Sequence, residues 1–100
     1  MKFKDFQNRE ITLSDESWRH IQDSHPEMSV LEIARVLLSP DEVRRSIHTV
    51  HAELYYSLKT SSPKLRYRCV IVKVVRGKCF VSSAMTTSSM KMGATLYRKS

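Results

Sequence analysis

Four histidines are the side chains best suited to chemistry near neutral pH: His20, His25, His48 and His51. An imidazole can give and take a proton there, its reference pKa being about 6.5. His20 and His25 flank the end of a helix expected over Asp15 to Ser24. On that helix His20 lies nearly opposite Trp18, so burial of Trp18 exposes His20. His25 returns toward the buried side, though at the helix end. The two imidazoles therefore need not converge, and His25 has a structural alternative in hydrogen bonding the turn before Pro26. Their spacing is not the i, i+4 pair of a helical metal site, and no acidic cluster joins them. Neither a metal nor another cofactor is expected. His48 and His51 span an expected turn and read as solvated turn residues. The chain has no Gly-rich phosphate loop and no serine in a nucleophile-elbow setting, which argues against ATP-dependent and acyl-transfer chemistry.

Charge is the second chemical signal. Residues 1–53 hold ten acids and seven Lys/Arg, a balance of −3. Residues 54–100 hold ten Lys/Arg and no acid, a balance of +10, which gives the net +7 of the chain. A basic half without a carboxylate suits a phosphate backbone, because each neutralised phosphate releases counterion. An acidic protein partner is a second candidate. An anionic membrane surface comes third, with no basic amphipathic helix to support it. Tyr55, Tyr56 and Tyr67 lie among the basic strands, where aromatic rings can stack unpaired bases or simply pack a sheet. One of Tyr55 and Tyr56 must face the core and the other the open face.

The elements that must position these groups follow from local pattern. The strongest strand signal runs from Leu65 to Thr87, rich in Val, Ile, Tyr and Phe and broken by Gly77. It reads as a hairpin whose first arm is a central strand. With Arg76-Gly77 as a two-residue loop, Val70, Val72 and Val74 share a core face with Cys79 and Val81. That face then ends in Arg66, Arg68, Ser83 and Thr87, the floor of a cleft or a strand end meeting water. Lys73 and Tyr67 share the other face. A three-residue loop ending at Gly77 is the alternative, because Arg76 disfavours positive φ, and it moves the second arm to the other face.

Upstream, Ile11 to Leu13 reads as a short edge strand, and Ser14 as the N-cap of the first helix with Asp15 and Glu16 in its first turn. Pro26 ends that helix. Ser29 opens a second helix with Glu32 as its capping-box partner, and Val30, Ile33, Ala34, Leu37 and Leu38 form its apolar stripe. Val43 to His48 and Ala52 to Leu58 are the next strands. Ser88, Ser89 and Gly93 mark a C-terminal loop or short helical turn. The expected architecture is α+β in a single domain over residues 1–100: two N-terminal helices packed on one face of a four-stranded antiparallel sheet. Cys69 and Cys79 do not meet in either register and read as small buried hydrophobes rather than a disulfide. No apolar run approaches the roughly 20 residues of a membrane span, and the charged start lacks a signal core, so a soluble, cytoplasmic protein is expected.

Several short segments together resemble a family. Trp18-Arg19-His20-Ile21, His25-Pro26-Glu27 and Ser39-Pro40-Asp41-Glu42-Val43-Arg44-Arg45-Ser46 are similar to the opening of the phage-barnase-EndoU-colicin-RelE-like nucleases. Leu54-Tyr55-Tyr56, the Tyr67 strand ending at Lys73, and Phe80 to Thr87 with Lys91 and Gly93 continue the likeness, which covers roughly residues 11–97. The resemblance implies a small nuclease fold, metal-independent RNA cleavage, and often a toxin restrained by an antitoxin. This chain departs from the family pattern at Ser83-Ala84-Met85, where relatives often carry Thr-Ala-Tyr, and at Ser57, where an arginine is common. His20, His25, Arg45, Thr87 and Lys91 fall on matching positions. Under this reading the 2′-hydroxyl of RNA attacks its own phosphorus. His20 and His25 would move protons, Thr87 would donate a hydrogen bond, and Arg45, Arg66, Arg68 and Lys91 would hold phosphate, with Tyr55 at the RNA. The expected partners are RNA and an antitoxin-like acidic protein. A non-catalytic nucleic-acid-binding or protein-interaction domain on the same scaffold is the alternative.

Overall fold

The computed structural model describes residues 1–100 and contains two helices and seven strands. Strands β1 (Lys2–Lys4) and β2 (Glu10–Thr12) precede helices α1 (Asp15–Ser24) and α2 (Val30–Leu38). Then come β3 (Glu42–Arg45), β4 (Ala52–Thr60), β5 (Arg66–Val75), β6 (Lys78–Thr87) and β7 (Thr95–Arg98). All seven strands form one sheet in the order β1-β2-β6-β5-β4-β3-β7.

The expected four-stranded antiparallel sheet with two leading helices is therefore corrected. The class is α+β, but the sheet has seven strands and is mixed, because β2 runs parallel to β6. The helices follow two strands rather than opening the chain. The strand around Ile11 is internal, held between β1 and β6, so the sheet edges are β1 and β7. The C-terminal piece is not only a loop: Thr95–Arg98 pairs with β3. The third strand stops at Arg45, short of His48, where the Ser46 hydroxyl accepts from the backbone N–H groups of His48 and Thr49 and turns the chain.

Local chemistry explains both helices. The Ser14 hydroxyl accepts from the Ser17 backbone N–H at 3.1 Å, and Asp15 and Glu16 sit where the helix dipole favours anions. Ser29 and Glu32 close a full capping box on α2. Each helix buries one stripe, Ile21 from α1 and Ile33, Val36 and Leu37 from α2, against the same sheet face. Val43, Tyr55, Val70, Val72, Val81 and Ala84 supply that face. A smaller apolar layer, Leu54, Tyr56 and Cys69, lies on the opposite face.

The hairpin takes the two-residue loop. Arg76 (φ 52°) and Gly77 (φ 78°) both adopt positive φ, and Val75 stands opposite Lys78. Such a turn has the twist that two antiparallel strands need, which offsets the cost at Arg76. A bulge follows: Val72 pairs with Val81, yet Ile71 pairs with Ser83, so Ser82 is an extra residue. It turns the far half of β6 over. Ala84 and Thr86 face the helices with Arg68, whereas Ser83 and Thr87 face away. The expected row of Arg66, Arg68, Ser83 and Thr87 on one face is thus corrected, because the sequence period of two is interrupted once.

Candidate functional site

The loop from α1 to α2 delivers one imidazole to one end of the sheet. His25 is the C-cap of α1, its backbone N–H donating to the Ile21 carbonyl at 2.7 Å, and its ring is half-buried. Its Nδ1 lies 3.7 Å from Oε2 of Glu27. The same Oε2 accepts from the backbone N–H and the hydroxyl of Thr86, each at 3.1 Å. At 3.7 Å the imidazole contact is electrostatic rather than a hydrogen bond. Burial tends to raise the Glu27 carboxyl pKa. Bonds from its own backbone N–H and from Thr86, helped by His25, outweigh burial and hold it below the ordinary range. The contact places a carboxylate oxygen beside one ring nitrogen of a half-buried imidazole.

Basic residues gather at this end. Arg68 pairs across the strands with Thr86, and Arg66 with Thr60 at the end of β4. Lys59 and Lys64 flank the connection between β4 and β5 and are exposed. Arg68 is committed: its Nε donates to Oε2 of Glu32 on α2, and Glu32 is also held in the capping box. Burial opposes ionisation of Glu32, but Arg68 and Ser29 together lower its pKa. Lys59, Lys64 and Arg66 have no acidic partner within 4 Å.

Other residues singled out from the sequence lie elsewhere. His20 is exposed on α1, five positions before His25 and so about 140° around a helix of 3.6 residues per turn. No hydrogen bond or ion pair joins His20 to the His25–Glu27–Thr86 cluster. Thr87 is on the face turned away from His25 and its hydroxyl donates to the Ser89 carbonyl at 3.2 Å. Arg45 pairs with Glu53, toward the hairpin end of the sheet, far from Arg66. Lys91 lies over the outer face, where its backbone N–H donates to the Tyr56 hydroxyl at 3.0 Å and its carbonyl accepts from Arg44 at 2.9 Å.

Tyr55 is 0% exposed, since it faces the helices between Val43 and Val70. Its hydroxyl donates to Asp5 Oδ2 at 2.7 Å and accepts from Arg9 at 2.6 Å. It cannot reach RNA. Two residues not singled out, Glu27 and Thr86, complete the His25 cluster. Glu27 directly follows Pro26 and was legible as a neighbour of His25. Thr86 was hidden by the bulge.

The outer face is only partly covered. Residues 88–94 cross it beside β3 and β4, with Met90 packed on the Leu54, Tyr56 and Cys69 layer. Burial pushes the Cys69 thiol pKa up to about 12. Both cysteines are free, on opposite faces of the hairpin. No three His, Cys, Asp or Glu side chains come together as a metal site. No helix is long and apolar enough to cross a membrane. Comparison with protein-family models, with curated proteins and with solved structures finds no match for this chain.

Proposed function

We propose that the chain is a metal-independent endoribonuclease of the toxin-like type, acting on RNA in the cytoplasm at the His25 end of the sheet. One observation supports the reading: the His25–Glu27–Thr86 contact lies at the same end of the sheet as Arg66, Lys59 and Lys64, three cations with no acidic partner within 4 Å. RNA supplies its own nucleophile, so the protein needs a proton acceptor and positive charge around the phosphate. His25 takes the proton of the 2′-hydroxyl, with Glu27 as its orienting carboxylate. The 2′-oxygen bonds to phosphorus and the bond to the 5′-oxygen breaks. Arg66 and the two lysines stabilise the charge gathered on the phosphate oxygens. Solvent protonates the leaving oxygen, since His20 does not reach the site. The products are a 2′,3′-cyclic phosphate and a 5′-hydroxyl. An acidic antitoxin-like protein covering these cations would silence the enzyme.

The experiment is incubation of purified chain, freed of any partner, with an oligoribonucleotide in excess chelator. Expected are fragments ending in 2′,3′-cyclic phosphate. Intact RNA across pH and salt contradicts the reading. A second reading, a non-catalytic RNA-binding domain, is favoured by the separation of His20 from His25. Salt-dependent binding without cleavage supports it.

A further inference from the structure

Neither helix packs on the outer face of β5 and β6; Met90 covers part of it near Cys69, and the side chains left open follow a pattern. The register puts Tyr67 opposite Thr87, Cys69 opposite Met85, Ile71 opposite Ser83 and Lys73 opposite Phe80. Phe80 is 41% exposed and Val75 48%. Tyr67 is half-buried and meets Tyr56 edge to face, with centroids 6.3 Å apart, which holds the ring in place. Lys73 and Lys78 are exposed and have no acidic partner within 4 Å. No carboxylate occurs in residues 54–100, and the acid at the margin, Glu10, is held by Lys2 at 3.5 Å. A depression of about 330 Å³ opens beside Phe80, fronted by Lys73, Thr12 and Ser82 and bordered by Ser14 and Ser17 at the start of α1.

We infer that this face is a track for single-stranded RNA. Bases stack on Tyr67 and Phe80, and phosphates pair with Lys73 and Lys78. The occupant follows from charge and geometry together. An apolar protein surface would leave the lysines without partners. An acidic peptide would leave two separated aromatic rings without stacking partners. Tyr67 and Lys73 stand six residues apart on β5, about 20 Å at roughly 3.3 Å per residue. That span suits an oligonucleotide and exceeds a mononucleotide. Duplex RNA hides the base faces and fits a stacking surface poorly.

The track also meets the cleavage site. Tyr67 is one residue from Arg68 and pairs with Thr87, next to the Thr86 that Glu27 holds. RNA leaving the Tyr67 end therefore rounds the sheet end toward His25. Only this last connection rests on the cleavage reading, and binding along the track stands apart from it.

The test measures binding of a fluorescent 12-residue oligoribonucleotide to the His25→Ala chain by anisotropy, over a range of salt. Added Tyr67→Leu or Phe80→Leu weakens binding about tenfold, whereas Tyr67→Phe, which keeps the ring, does not. Lys73→Ala lowers the slope of log K against log salt by about 0.7, the value of one released counterion on a single strand. Circular dichroism melts confirm that each variant is folded, and exposed Lys73 tests the track even if Tyr67→Leu unfolds. Equal binding by the leucine variants, tighter binding of duplex than of single strand, or displacement by an acidic peptide but not by unlabelled RNA overturns the inference. If the wild-type chain binds RNA along this face and leaves it intact, the cleavage reading alone fails. If it cuts RNA and the face variants bind normally, the track alone fails.

Discussion

The two ends of the sheet hold clusters built from the same kinds of group, yet they are finished differently. At the hairpin end, Asp5, Arg9, Glu53 and Tyr55 bond only to one another and to nearby backbone. Asp5 has a fully buried side chain that accepts from Gln7, Arg9 and Tyr55, and Arg9 bridges it to Glu53 at 2.6 Å. At the other end, Glu27 accepts from Thr86 and touches His25, but His25 and Arg66 remain half-exposed with donors to spare. Charge that is fully bonded around the enclosed Asp5 carboxylate holds β1, β2 and β4 together. Charge left at the surface with unused hydrogen-bonding capacity can engage a ligand. The difference lies in completeness, since both ends combine a carboxylate, a cation and a hydroxyl.

Breaking the enclosed cluster gives the largest effect. Asp5→Ala strands the Tyr55 hydroxyl, the Gln7 and Arg9 backbone N–H groups and part of the Arg9 guanidinium. The expected loss is about 3–5 kcal/mol of folding stability, read by urea unfolding. A loss below about 1 kcal/mol means that the cluster does not hold the fold.

Acid titration separates the ends by a smaller amount. Burial disfavours ionised Asp5, yet hydrogen bonds from Tyr55 and Arg9 prevail and lower its pKa. Glu42, between Arg44 and Arg98, is lowered for the same reason. These carboxyls regain their ordinary, higher pKa values in the unfolded chain, which therefore binds more protons as the pH falls. Their stabilisation is complete above about pH 5 and is lost as the pH drops through the folded-state values. The melting temperature should fall steadily below about pH 5, and Asp5→Ala should flatten that fall more than Glu27→Gln does. Equal flattening would erase the distinction between the two ends.

The smallest effect is on stability at the open end. Glu27→Gln keeps an acceptor for Thr86 and removes only a partly exposed charge, so thermal melting should register about 0.5 kcal/mol or less. Cleavage should fall regardless, because the imidazole loses the charge that orients it.

What could be read from the chain follows the range of the forces involved. Ser14 and Ser29 announce their helices because capping acts over three residues. The core valines and Gly77 announce the hairpin for a similar reason. Strands β1 and β7 have three and four residues, too few to carry a clear period; β1 pairs with nearby β2, whereas the partner of β7, β3, lies far back along the chain. Phe3 between Lys2 and Lys4 does alternate, but three residues define no face. The parallel match of Ile11 with Cys79 depends on the whole fold. The bulge at Ser82 is the costliest omission, since one extra residue exchanged Thr87 for Thr86 at the site. Tyr55 and Tyr56 were correctly expected to divide between faces; which faced the core depended on the β3 and β5 registers.

The most direct test is single-turnover cleavage of one oligoribonucleotide by the wild-type chain and by His25→Ala, in chelator, with both proteins shown to be folded and to bind the RNA. Loss of a proton-transfer group predicts a rate about 10²–10⁴-fold lower for His25→Ala with binding little changed. Equal rates in the two proteins would contradict the assignment of His25 as the group that moves the proton.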